Sequence, residues 1–202
     1  AKKKADELKK LHNEFFESAH KNRKDKIKKQ IEALEWDLIE TTLREQNKLS
    51  LLPEIECFKK ANIKPFFLWK LNFSDVFEKN GGFDVVIANP PYVKEYVNKS
   101  AFDGLRNSPY YQGKMDLWYI FACMGIDLLK DNSGILTFIA QNNWVTSYGA
   151  SKMRNKVIND TQILSLIDFG DFKIFEAGIQ TMVMIFKKSI FLENYSFDYR
   201  RL

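Results

Sequence analysis

The chain has 202 residues, 45% of them hydrophobic and 28% charged, with a formal net charge of +5. That balance supports a packed core and excludes a wholly disordered polymer, while the absence of a run near ~18 apolar residues, or of a visible signal peptide, argues against a membrane protein or partner. The pI of about 9.0 is compatible with a polyanionic partner, although a modest lysine excess is also common on ordinary surfaces. Cys57 and Cys123 are far apart and lack metal-ligand spacing, so they read as reduced packing residues in a cytosolic setting, with no metal site expected. The chain opens on Ala1 and a run of lysines, which reads as a piece of a longer protein.

Residues 1–62 form a charged segment without glycine. Leu8, Leu11 and Phe15 fall at helical spacing, and Ile27, Ile31, Leu34 and Leu38 alternate steps of four and three, so the segment is expected to be a helical hairpin or one long helix with a weak middle. The basic block Lys21–Lys29 reads as a solvated helix face in preference to a phosphate-contacting one, because it contains Asp25 and no interleaved aromatic residue. Residues 63–202 change pattern. PFFLWKLNF suggests a short strand around Leu68–Phe73. FDVVIA, bounded by Gly81-Gly82 and Asn-Pro-Pro, reads as a strand buried on both faces. The run 115–130 predicts a buried helix, 134–140 a second buried strand, 151–160 a helix, and 163–169 and 181–188 two further strands. This order implies an α/β fold whose mostly parallel sheet carries helices on its faces. The short connection between the last two strands makes them antiparallel neighbours.

Ligands of open parallel sheets bind beyond the carboxyl ends of the strands, and Asn89, Pro90, Pro91 and Tyr92 stand at such an end. The two prolines stiffen the turn. The Asn89 side-chain oxygen and the Pro90 carbonyl are two acceptors held near one another, and Tyr92 adds a flat ring. Two acceptors and a stacking face suit an exocyclic NH₂ on a planar group, whereas a plain strand cap would not require this order of residues.

Asn-Pro-Pro-Tyr after a hydrophobic strand resembles the catalytic motif of the amino-methyltransferases, typically N6-adenine DNA methyltransferases that use S-adenosylmethionine. PFFLWKLNFSDVFEKNGGFDVVIANPPYV, the charged helical lead before it and DLWYIFACMGIDLLK, GILTFIAQNNWVTSYGASKMR and IDFGDFKIFEAGIQTMVMIFKK after it follow in the order of the type IIG restriction–modification enzymes, so the resemblance spans most of the chain. It implies the C-terminal, catalytic half of a Rossmann-like methyltransferase fold, preceded by the helical segment, in a bacterial or archaeal cytoplasm. Asn89 and Pro90 would then accept from the amine of an adenine flipped out of double-stranded DNA, and Tyr92 would stack on the base. Phe175, at the position matching the family's second aromatic, would close the other face. Asn72 and Phe73 match the pair that holds the cofactor's adenine, with asparagine in place of the acidic residue. Asp116 reads equally as a helix N-cap and as a cofactor contact.

Around the turn, Lys94, Lys99, Arg106 and Lys114, with Tyr110 and Tyr111 between them, suit a DNA-facing flap as well as an ordinary surface loop. Gln141 to Trp144 stand at another strand end and are expected to line the same pocket. The family's cofactor turn, of the form Asp-x-x-x-Gly-x-Gly, does not occur here. Family order places it upstream of residue 1, together with the first two strands, and leaves the nuclease and target-recognition domains elsewhere in the parent chain. The expected consequences are an inactive fragment, weak cofactor binding and self-association through the free edge of the 83–88 strand. Rival readings are a protein-glutamine methyltransferase, which shares Asn-Pro-Pro-Tyr but lacks the helical lead and FFLW, an RNA adenine methyltransferase, and a non-catalytic DNA-binding or scaffold fragment.

Overall fold

The computed structural model describes residues 1–61, 67–176, 178–189 and 194–202. The chain divides into two compact units, Ala1–Phe77 and Glu78–Leu202. The expected boundary at 62/63 lies outside the described residues.

In the first unit, α1 (Lys2–Glu17) and α2 (Lys21–Glu45) form an antiparallel hairpin, broken where Ser18 and His20 adopt extended backbone. Ala1 pairs with Glu45 at 2.7 Å and Lys4 with Asp37 at 2.6 Å, which sets the register. The apolar stripes meet in a core of Leu8, Ile27, Ile31 and Leu38, to which Leu71 is added. The basic block opens α2 and does not interrupt it. Next comes α3 (Leu52–Lys60), which begins with Pro53 in its first turn, where the missing amide hydrogen costs nothing.

The strand expected around Leu68–Phe73 is instead a short helix, α4 (Trp69–Asn72). Trp69 and Phe73 are four residues apart, and a helical turn stacks their rings at 6.0 Å, a pairing that an extended chain cannot make. Asn72 Nδ2 also donates to the Leu68 carbonyl at 2.9 Å, closing the turn locally. A further helix, α5, spans Ser74–Asn80.

The second unit is built on a five-stranded sheet in the order β1-β2-β4-β3-β5. Its strands are β1 (Val85–Ala88), β2 (Ile135–Gln141), β3 (Thr161–Asp168), β4 (Thr181–Lys188) and β5 (Asp198–Arg201). The β1–β2 and β3–β5 ladders are parallel, and β4 runs against both β2 and β3, so β4 alone is reversed. Helices α6 (Leu117–Leu128) and α7 (Ser151–Asp160) cover one face. Trp118, Cys123 and Ile126 of α6 and Met153 and Val157 of α7 pack there with Leu136, Phe138, Met184 and Phe186 of the sheet.

Burial therefore alternates along β2 and β4, and the expectation of strands buried on both faces is corrected. Val85 and Ile87 of β1 are 56% and 77% exposed. A continuous apolar run specifies the strand but not how many of its faces are covered. Phe83 does not lie in β1; it bridges to Leu129 beyond the end of α6, and Gly82 permits this with φ +153, where an added Cβ would come within 2.7 Å of the Leu129 backbone. The β5 strand has no counterpart in the sequence reading.

Candidate active site

The carboxyl ends of β1, β2 and β3 and the start of β4 lie together at one end of the sheet. Asn89 is exposed, Pro90 buried, Pro91 exposed and Tyr92 half-buried against the core. The β1–β2 ladder ends at the pair Ala88↔Phe138. One residue further along β2, the Tyr92 hydroxyl lies 2.9 Å from the Ile139 carbonyl oxygen, and it is also 2.8 Å from Asn89 Oδ1. The phenol thus reaches across the point where β1 leaves the sheet and ties the turn to β2.

Asp116 stands at the N-cap of α6, and residues 93–95 pair antiparallel with 115–117. Glu95 N–H donates to the Met115 carbonyl at 3.0 Å, and Leu117 N–H to the Val93 carbonyl at 2.9 Å. Gly149 lets a neighbouring turn press on the same stretch, since a Cβ there would fall 2.2 Å from the Lys114 carbonyl oxygen. Asp116 is 3% exposed, and neither carboxylate oxygen makes a hydrogen bond. Burial raises its pKa, and the amides of Trp118 and Val93, near but outside bonding geometry, pull it partly back. The Tyr92 phenol is likewise pushed up, by burial first and then by the Asp116 charge, so it keeps its proton.

A polar rim continues from β2. The Tyr119 hydroxyl donates to Asn143 Oδ1 at 3.5 Å. Asn142 Nδ2 donates to Asp168 Oδ1 at 3.0 Å, and the Gly170 N–H donates to the same oxygen at 3.0 Å. Asn142 N–H also donates to the Gln180 carbonyl at 3.2 Å, which extends the β2–β4 pairing one residue past Gln141 and Thr181. Phe175 lies between β3 and β4 and is half-buried. Tyr119 and Asp168 were not singled out from sequence. The available signals were the three-residue spacing of Tyr119 from Asp116 and the position of Asp168 before a glycine turn.

The four basic candidates differ in their surroundings. Arg106 Nη1 donates to Glu95 Oε1 at 2.8 Å and to the Tyr111 hydroxyl at 2.7 Å, and the guanidinium lies 5.6 Å from the Tyr111 ring centroid. The Tyr111 hydroxyl in turn donates to Glu95. This hydrogen bond, more than the Arg106 charge, lowers the Glu95 pKa. Arg106 therefore braces the loop from within. Tyr110 donates to Asp127 of α6, and burial, followed by that bond, pushes its pKa up to about 12. Lys156 of α7 pairs with the same Asp127 at 2.6 Å and lies 5.3 Å from the Tyr110 ring centroid. Tyr110 and Tyr111 thus both anchor the loop on protein partners. Lys99 and Lys114 are exposed, and Lys94 lies 6.0 Å from the Tyr96 ring centroid.

Asn72 and Phe73 belong to the first compact unit. Asn72 Nδ2 donates to Glu35 Oε1 at 3.4 Å as well as to Leu68, and Phe73 stacks on Trp69. Among the described residues no cluster of His, Cys, Asp and Glu could hold a metal ion, and no helix is long and apolar enough to cross a membrane.

The chain is 24% identical over 119 residues to the type II methyltransferase M.BanIII of Aneurinibacillus aneurinilyticus, covering 58% of this chain and 20% of that protein. It is 32% identical over 110 residues to the type II methyltransferase M.HincII of Haemophilus influenzae, covering 52% of this chain and 22% of that protein. It thus spans about a fifth of the length of these two relatives. Among solved structures, the type IIG restriction endonuclease BpuSI superposes with a TM-score of 0.39 at 18% identity, covering 52% of this chain and 13% of that one. Residues 2–175 match the Eco57I restriction-modification methylase family, and the chain belongs to that family.

Proposed function

We propose that the chain carries the amine-binding part of a DNA adenine-N6 methyltransferase within a longer restriction–modification enzyme. The observation that carries this reading is the Asn89–Tyr92 turn at the carboxyl end of β1, with the Asn89 amide exposed and the Tyr92 phenol anchored on β2. An adenine amine is a poor nucleophile because its lone pair is delocalised into the ring. Hydrogen bonds from its two N–H groups to Asn89 Oδ1 and the Pro90 carbonyl favour a pyramidal nitrogen and turn the lone pair outward, with acceptors already in place for the charge that develops. The prolines hold these acceptors without an ordering cost at binding. Tyr92 stacks on the base and Phe175 closes its other face, each stacking contact being worth about 1–3 kcal/mol towards the cost of flipping.

S-adenosylmethionine would supply the methyl group as a sulfonium. The orphaned, buried carboxylate of Asp116 fits a ligand that brings hydrogen-bond donors. Asn72 and Phe73 are the proposed contacts to the cofactor's adenine, and both also bond or stack within their own unit. The chain alone is expected to bind the cofactor weakly and to be inactive, with the cofactor turn, the nuclease and the target-recognition domain supplied by other segments. Double-stranded DNA is the proposed partner, and the net charge of +5 is in keeping with it.

The test is transfer of labelled methyl from S-adenosylmethionine to unmethylated DNA by an upstream-extended enzyme, beside the isolated chain and Asn89→Ala. The expected outcome is label on adenine N6, lost by at least about a hundredfold in Asn89→Ala, a loss of the size seen when one preorganised charge-stabilising group is removed. Label on release-factor protein alone would replace this reading with glutamine methylation, and no label from folded, extended enzyme would favour a scaffold.

A further inference from the structure

The Tyr92 hydroxyl has one proton and two oxygen neighbours, Asn89 Oδ1 at 2.8 Å and the Ile139 carbonyl at 2.9 Å. A phenol donates one hydrogen bond and accepts others, whereas a carbonyl oxygen can only accept. With the Asn89 amide oxygen facing the phenol, one of the two oxygens is left without a proton. Turning the Asn89 amide by 180° about its Cβ–Cγ bond keeps the heavy atoms in place and removes the conflict, because oxygen and nitrogen occupy equivalent positions. The chain of bonds then runs from Asn89 Nδ2–H to the phenol oxygen, and from the phenol O–H to the Ile139 carbonyl. Each donor has an acceptor, and Asn89 Oδ1 is turned away from the phenol.

We infer that Tyr92 is a positioning residue for Asn89: its hydroxyl, anchored on Ile139, accepts from Asn89 Nδ2 and so presents Oδ1 to the incoming amine. An exposed asparagine outside such a chain samples both amide orientations, and only one offers an acceptor to a substrate N–H. The anchor is part of the sheet, since Ile139 is paired with Val183 of β4 and lies one residue beyond the last β1–β2 pair. The orientation is thereby tied to a rigid element instead of to the loop. The burial of Tyr92 and its nearness to the Asp116 charge keep the phenol protonated, as donation to Ile139 requires. Tyr92 thus serves the turn twice, through its ring face and through its oxygen.

This inference rests on the proposed role of Asn89 for its consequence, but its geometry can be tested without catalysis. The Asn89 side-chain amide is followed in the ¹⁵N–¹H correlation spectrum of this chain, its signal identified by its loss in Asn89→Ala. Tyr92→Phe keeps the ring and removes the oxygen. The expected result is a displaced Asn89 NH₂ pair whose exchange with solvent quickens roughly tenfold, the effect of losing one hydrogen bond. An NH₂ pair with unchanged exchange overturns the assignment. In the extended enzyme, Tyr92→Phe is expected to lower kcat roughly tenfold with KM for DNA unchanged, since the stacking ring remains; a rise in KM at constant kcat also overturns it. Full activity of Asn89→Ala would sink the proposed function instead, and the amide spectrum would still decide the orientation.

Discussion

Asp116 sets the electrostatics beside the Asn89–Tyr92 turn. Its carboxylate is buried without a hydrogen bond, close enough to raise the Tyr92 pKa by its charge. A carboxyl whose pKa is raised by folding contributes stability below its ordinary range near ~4 and withdraws it as pH rises through the folded value. At neutral pH the charged form therefore costs stability. Asp116→Asn removes the charge at nearly constant shape. Its unfolding temperature is expected to exceed that of the parent chain at pH 7–8, by the equivalent of about 1 kcal/mol, and the gap should close as pH falls below ~4. A gap independent of pH, read by thermal unfolding across that range, would show that the charge is not the cause. Added cofactor should reverse the ranking if Asp116 accepts from it.

At the scale of elements, the 93–114 loop is braced on both sides, by Glu95, Arg106 and Tyr111 within it and by Tyr110 on Asp127 of α6. Tyr110, Tyr111 and Arg106 are committed to protein partners, while Lys99 and Lys114 are exposed to solvent. In DNA binding by the extended enzyme, Lys99→Ala is expected to lower the slope of log K against log salt by about 1. Arg106→Ala should leave the slope unchanged and instead speed proteolysis of the loop. Equal slope changes for the two would mean that Arg106 exchanges Glu95 for a phosphate. Packing behind the loop is equally specific. Gly149→Ala would drive a methyl group into the Lys114 backbone at 2.2 Å, and an expected destabilisation of about 1–3 kcal/mol is readable by denaturant unfolding.

Seen whole, the molecule is two compact units, with the sheet ending at β1 on one side and β5 on the other. Among the described residues β1 pairs only with β2, and its exposed Val85 and Ile87 leave an apolar strand at the sheet edge. Such an edge pairs with further strands, from an upstream segment or a second copy. Sedimentation of this chain is expected to show concentration-dependent self-association, weakened by Ile87→Lys without loss of fold; a monomer at all concentrations would dismiss the edge as a contact.

The division between what could be read from residues alone and what required the folded chain follows from the range of the forces involved. Hydrophobic periodicity and the stiff Asn-Pro-Pro turn are local, so the amphipathic stripes of α1 and α2, the helices α6 and α7 and strands β1 to β4 were legible from the chain, as was the turn's position at the end of β1. The antiparallel β3–β4 pair was legible because its connection is too short for a crossover. Long-range packing decided the rest. Trp69 and Phe73 stack only in a helix, so an aromatic-rich stretch that suggested a strand became α4. The exposed face of β1 depends on which side α6 and α7 cover, and Arg106 depends on Glu95 eleven residues away. The pairing of exposed, strongly polar β5 beside β3 left no apolar pattern to read. The tie from Tyr92 to Ile139 spans 47 residues and exists only because β2 lies beside β1, which no spacing within the Asn-Pro-Pro-Tyr turn encodes.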